Sequence, residues 1–166
     1  YGLMRALRFG FFPSLLAGLA YMMSGQILSL VSPGHDGKVY VSTMAPLILW
    51  MVLLGMRDGR LWAWGMVAVA TGLSILSPHF QMTYYLGLLT IGFTFFLAFH
   101  KGDWQLEPRV RFTRLGLAAA GAALGFLIAS IHFLPFFEYI PFSPRAEGGR
   151  GYEYATSYSM PPEELL

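Results

Sequence analysis

Five apolar runs, each close to the roughly 20 residues that cross about 30 Å of hydrocarbon, dominate this chain: residues 9–31, 39–56, 61–77, 80–99 and 115–137. In lipid every backbone N–H and C=O must pair within its own segment or close into a barrel, so runs of this length imply helices. Composition agrees. Only 12% of the 166 residues are charged and 55% are hydrophobic, whereas a soluble domain carries roughly 25% charged residues. The expected fold is an all-α integral membrane protein, with a polytopic bundle of about five transmembrane helices over residues 1–138. Residues 139–166 read as an extracytoplasmic loop and the start of a further helix.

Turn chemistry divides the runs at Ser32-Pro33-Gly34, Asp58-Gly59 and Ser77-Pro78. Pro13, Pro46 and Pro135 fall near span ends or in a first turn or two, where a missing N–H is best tolerated. Arg5, Arg8 and the apolar run after them resemble a signal peptide only superficially. The run is too long and no small-residue cleavage site follows it. Both Tyr1 and Leu166 read as cuts in a longer protein. The third run is the shortest.

Basic residues orient the spans. Arg5, Arg8, Arg57, Arg60, Lys101, Arg109, Arg111 and Arg114 fall on one side, and Lys38, Arg145 and Arg150 on the other. Eight against three places the first set in the cytoplasm, so the amino end is inside and the tail outside. Trp62 and Trp64 then mark the inner interface, and Tyr84, Tyr85 and Tyr139 the outer one. Polar residues within or beside the spans gather toward the outer leaflet: Ser24, Gln26, His35, Asp36, Lys38, His79, Gln81, His132 and Glu138. Intramembrane polar groups are costly, so this gathering implies a polar cavity open to the outside.

The loop from Ser32 to Lys38 carries two readings. In one, Lys38 and His35 bind an anion and Asp36 orients them or acts as a base. In the other, which weighs more on residue chemistry alone, the loop is a tight turn. Asp36 then caps the next helix and Lys38 snorkels to the headgroups. Ser77-Pro78-His79-Phe80-Gln81, with Tyr84 and Tyr85 a turn later, repeats the pattern. There a sugar- or headgroup-binding edge and a plain helix cap with an aromatic belt weigh equally. Gly121, Gly125 and Ala129 form a small-residue stripe for close helix packing. His132 reads as a hydrogen-bonded bundle histidine, and His100 as a residue facing headgroups. Anionic lipid headgroups account for the charged loop from His100 to Arg114.

Other chemistries have little support. There is no cysteine, and the four histidines never reach a paired-ligand spacing, so no metal or cofactor is expected. A net charge of +2 gives no reason to expect nucleic acid. No phosphate-binding glycine loop, serine elbow or internal repeat is present.

The order of Ser24-Gly25, Gly34-His35-Asp36-Gly37-Lys38, Pro78-His79-Phe80-Gln81-Met82-Thr83-Tyr84-Tyr85 and the closing Tyr154-to-Leu166 stretch resembles the bacterial YfhO-type membrane proteins. These in turn look like type C glycosyltransferases. The resemblance implies an enzyme of the bacterial cytoplasmic membrane that moves a sugar from a polyprenyl-phosphate carrier to an extracytoplasmic acceptor. It implies that His35 and Lys38 contact the phosphate and that Asp36 orients them. His79, Gln81 and Tyr85 would contact sugar or carrier. Such proteins carry their acidic catalytic residue in a first outer loop, expected upstream of Tyr1. A non-catalytic membrane scaffold ranks second. A transporter or flippase segment ranks third, because the inner half of the spans is apolar.

Overall fold

The computed structural model describes residues 1–142 apart from Pro78 and Asp103. The tail's expected loop and its helix start at Pro161 lie outside the described residues. All described regular structure is helical: α1 (Gly2–Ala6), α2 (Phe11–Met22), α3 (Gly25–Val31), α4 (Asp36–Asp58), α5 (Leu61–Leu76), α6 (Phe80–Phe99) and α7 (Pro108–Tyr139), then a 3-10 turn at Ile140–Phe142. The chain divides into two compact units, one of residues 1–129 and another beginning at Ser130. In the second, the described residues are the end of α7, with Pro135 inside it, and the 3-10 turn.

Four stretches are long and apolar enough to cross a membrane: Phe11–Val31, Asp36–Asp58, Phe80–Phe99 and Pro108–Phe142. The fifth apolar run forms α5, only 16 residues, or about 24 Å at 1.5 Å per residue. Its ends nevertheless meet the two ends of α4. Leu61 follows the Gly59 turn, and Ser77, just past α5, donates its hydroxyl to the Gly37 carbonyl at 3.0 Å. The protein is a polytopic all-α membrane protein. Its uncovered faces agree with that environment: Phe12, Leu16 and Met22 on α2, Phe95 and Phe96 on α6, and Phe126 and Leu127 on α7 are all exposed. Apolar surface of this extent is covered by lipid or by other chains.

The core of the first unit is built around α4. Ile48 and the run from Met51 to Met56 are buried against Ala63, Trp64 and Val67 of α5 and Leu97 and Ala98 of α6. Glycine makes the tightest approaches possible. A Cβ on Gly55 would fall 2.6 Å from the Trp64 indole, and one on Gly125 would fall 2.9 Å from the Ala68 carbonyl oxygen. The stripe of Gly121, Gly125 and Ala129 is buried, and its two glycines lie against the α5 backbone. Its partner is therefore a helix of the same chain.

Three boundaries differ from the sequence expectation. The first run is not one helix. It breaks after Met22, and Ser24, in an extended conformation, accepts a hydrogen bond from the Ile27 N–H to cap α3. The second helix starts at Asp36 rather than 39, so Pro46 lies in its third turn rather than near an end. α7 starts at Pro108, seven residues before the apolar run, because its arginine-rich first turns are helical despite their polarity. Proline suits that first position, where its missing N–H had no helical partner.

Candidate functional site

α4 runs for 23 residues, about 34 Å, and its two ends have opposite chemical character. At its start, the Ser77–Gly37 hydrogen bond draws the end of α5 onto the first turn of α4. The two polar stretches singled out in the sequence therefore share one end of the bundle. His35 and Asp36 are exposed and Lys38 is half-buried. Among the described residues, no carboxylate pairs with Lys38.

Asp36 does not cap α4. His35 occupies the cap position, no side chain makes a capping hydrogen bond, and Asp36 is the first helical residue. Its carboxylate there favours the positive end of the helix dipole. His79 does cap its helix: Nδ1 accepts from the Met82 N–H at 3.3 Å. With Nδ1 used as an acceptor, the neutral ring carries its proton on Nε2, which remains available as a donor. Gln81 Nε2 donates to the Tyr85 hydroxyl at 3.0 Å, one turn along α6, and both residues are exposed. Tyr84 and Tyr85 lie with ring centroids 5.8 Å apart. Thr83 completes the junction by donating to the Ser74 carbonyl at 2.8 Å. The arrangement offers a lysine, an imidazole donor and a Gln–Tyr pair at one rim, suited to holding a phosphate and hydroxyl-rich groups. Ser24 and Gln26 lie at the break between α2 and α3. His132 and Glu138 belong to the second unit.

The opposite end is basic. Arg57 holds Asp58 in a two-pronged ion pair, Nε to Oδ1 at 2.6 Å and Nη2 to Oδ2 at 3.0 Å. Through Nη1 it also donates to the Ala6 carbonyl at the end of α1. Arg114 of α7 donates through Nη1 to the carbonyls of Met56 and Arg57, closing the last turn of α4. Arg111 places its guanidinium over the Phe99 ring, 4.9 Å from the centroid. Of the eight basic residues expected on one side, Arg57, Arg109 and Arg114 are thus drawn together from the end of α4 and the start of α7.

Sequence reasoning missed two features. One is a cavity of about 300 Å³ at this basic end, lined by Gly59, Leu61, Trp64, Arg109, Thr113 and Arg114 among others. The expected polar cavity was placed at the other end. The second is a tertiary hydrogen bond from Tyr21 to the Ser42 carbonyl at 2.7 Å. Among the described residues, no three His, Cys, Asp or Glu side chains converge on a possible metal position. Comparison with known proteins gives no match: no family model, no curated protein and no solved structure matches this chain.

Proposed function

We propose that this bundle is the membrane part of a transferase that moves a sugar from a polyprenyl-phosphate carrier to an acceptor outside a bacterial cytoplasmic membrane. One observation carries the reading. The Ser77–Gly37 hydrogen bond ties the start of α4, with His35, Asp36 and Lys38, to the segment leading into α6, with His79, Gln81 and Tyr85. A lipid-phosphate donor needs such an arrangement, with cationic and hydrogen-bonding groups at headgroup depth beside an apolar surface for the prenyl chain. In this reading Lys38 is the phosphate contact and the free Nε2–H of His79 a second donor. Asp36 orients its neighbours, and Gln81 and Tyr85 face sugar or carrier. The amino end lies in the cytoplasm, with the arginine-rich end against the inner leaflet. The order of the sequence motifs, read as a resemblance to YfhO-type proteins, implies the same assignment.

A membrane scaffold is the second reading. It is favoured by the internal use of the rim's polar groups, since His79 Nδ1 caps α6 and Gln81 bonds Tyr85. Replacing Lys38, His79 and Gln81 together separates the two. Sugar incorporation into envelope polymer, measured in cells that depend on this protein, is expected to vanish while membrane insertion persists. Unchanged incorporation would remove the rim from the chemistry and leave the scaffold.

A further inference from the structure

The basic end contains a built cavity that the proposed transfer chemistry does not use. Its wall comes from three places distant in sequence: the α4–α5 turn at Gly59, the first turns of α5 with Leu61 and Trp64, and the first turns of α7 from Arg109 to Leu117. Arg114 anchors it, with its Nη1 on the α4 carbonyls and its Nη2 where a Cβ on Gly59 would fall, 2.6 Å away. Arg109 is exposed, and among the described residues no carboxylate pairs with it. The Thr113 hydroxyl donates to the Arg109 carbonyl and keeps its own oxygen free to accept. Trp64 is 5% exposed, and among the described residues its indole Nε1–H has no acceptor. Such an orphaned buried donor is rare in a folded chain.

We propose that this cavity binds the headgroup of an anionic phospholipid, with its phosphate at Arg109 and Arg114 and the start of its acyl chains along the apolar wall. Charge complementarity selects the occupant. Asp58, the acid at this turn, is paired with Arg57 and shares its charge with Arg60 and Arg114, which leaves net positive charge on the cavity wall at Arg109 and Arg114. A soluble anion would account for the arginines but not for the wall, where Leu61, Val110 and Leu117 join Trp64. Exposed Leu61, Trp62 and Phe112 flank the same end, and aromatic side chains of this kind settle at the membrane interface. The site lies at the other end of α4 from the proposed donor rim, so it stands or falls independently of the transferase reading.

Native mass spectrometry of the delipidated protein in detergent, titrated with phosphatidylglycerol or with phosphatidylcholine, tests the proposal. Phosphatidylglycerol is expected to bind preferentially. Arg109→Gln should weaken its binding about fivefold, the attraction of one basic residue to an anionic headgroup, while Arg109→Lys retains most of it. Arg5→Gln, a basic residue of the same end that does not line the cavity, should leave binding unchanged. Equal binding of the two lipids, or an Arg109→Gln protein that binds as well as the original, would overturn the proposal. Displacement of phosphatidylglycerol by millimolar inorganic phosphate would overturn the lipid assignment.

Discussion

The hydroxyl of Tyr21 on α2 donates to the carbonyl of Ser42 on α4 at 2.7 Å, and Ser42 is the residue whose carbonyl Pro46 leaves without a helical donor. A proline inside a helix removes the N–H that would bond to the carbonyl four residues earlier. In a membrane the freed acceptor must be satisfied by a neighbour. Ser42 reinforces the turn by donating its own hydroxyl to the Lys38 carbonyl at 2.8 Å. Through this pair the kink-prone third turn of α4 is tied to α2, close to the rim that bears Lys38.

Tyr21→Phe leaves that acceptor unpaired and is expected to cost about 1–3 kcal/mol. Pro46→Ala restores the missing N–H. The double variant should therefore lose less stability than the sum of the two singles, by about 1 kcal/mol. Reversible unfolding in mixed detergent micelles measures all three. Full additivity would show that the Tyr21 bond does not serve the proline.

The close approach of α5 and α7 makes a second, sharply position-dependent prediction. Gly125→Ala pushes a methyl group against the Ala68 carbonyl oxygen and is expected to destabilise by about 1–3 kcal/mol, the usual cost of overpacking. Gly116 lies on the same helix with open space around it, so Gly116→Ala should stabilise by about 0.5–1 kcal/mol through helix propensity. Thermal denaturation of both variants checks the sign of each change.

Gly59 and Gly34 both have left-handed backbones, with φ of 70° and 73°, but only Gly59 is also crowded. Alanine at Gly34 meets nothing within 4 Å and carries the backbone cost alone, about 1–2 kcal/mol. Alanine at Gly59 must also displace Arg114 from the end of α4. Gly59→Ala should therefore be clearly the more destabilising, and Arg114→Gln should reproduce part of its loss. Chemical denaturation of the three variants gives the ranking.

Much of this fold can be read from residue order, and the exceptions share a cause. The length of the apolar runs is enough to place α4, α5 and α6, and the sorting of arginines matches the basic end the structure assembles. The break at Ser24 escaped a hydropathy reading because both sides of it are equally apolar, although serine is a favoured helix N-cap residue. The early start of α7 escaped for the opposite reason, since Arg109, Arg111, Thr113 and Arg114 are polar but helical. Pro108 was the usable clue. Neither the Tyr21–Ser42 bond nor the cavity beside Gly59 could be found from local pattern. Each joins residues separated by 21 or more positions, and their meeting depends on how whole helices pack. The rim is an intermediate case. Its residues could be selected by type, while the Ser77–Gly37 contact that brings them together depends on α5 returning to the start of α4.

Two-sided labelling of single introduced cysteines tests the central claim most directly, because the chain has no cysteine of its own. His35→Cys and Gln81→Cys should react with a membrane-impermeant maleimide added outside intact cells, and Arg60→Cys only after the membrane is opened. Reaction of positions 35 and 81 from opposite sides, or protection of both by lipid, would contradict the shared outer rim on which the proposed function depends.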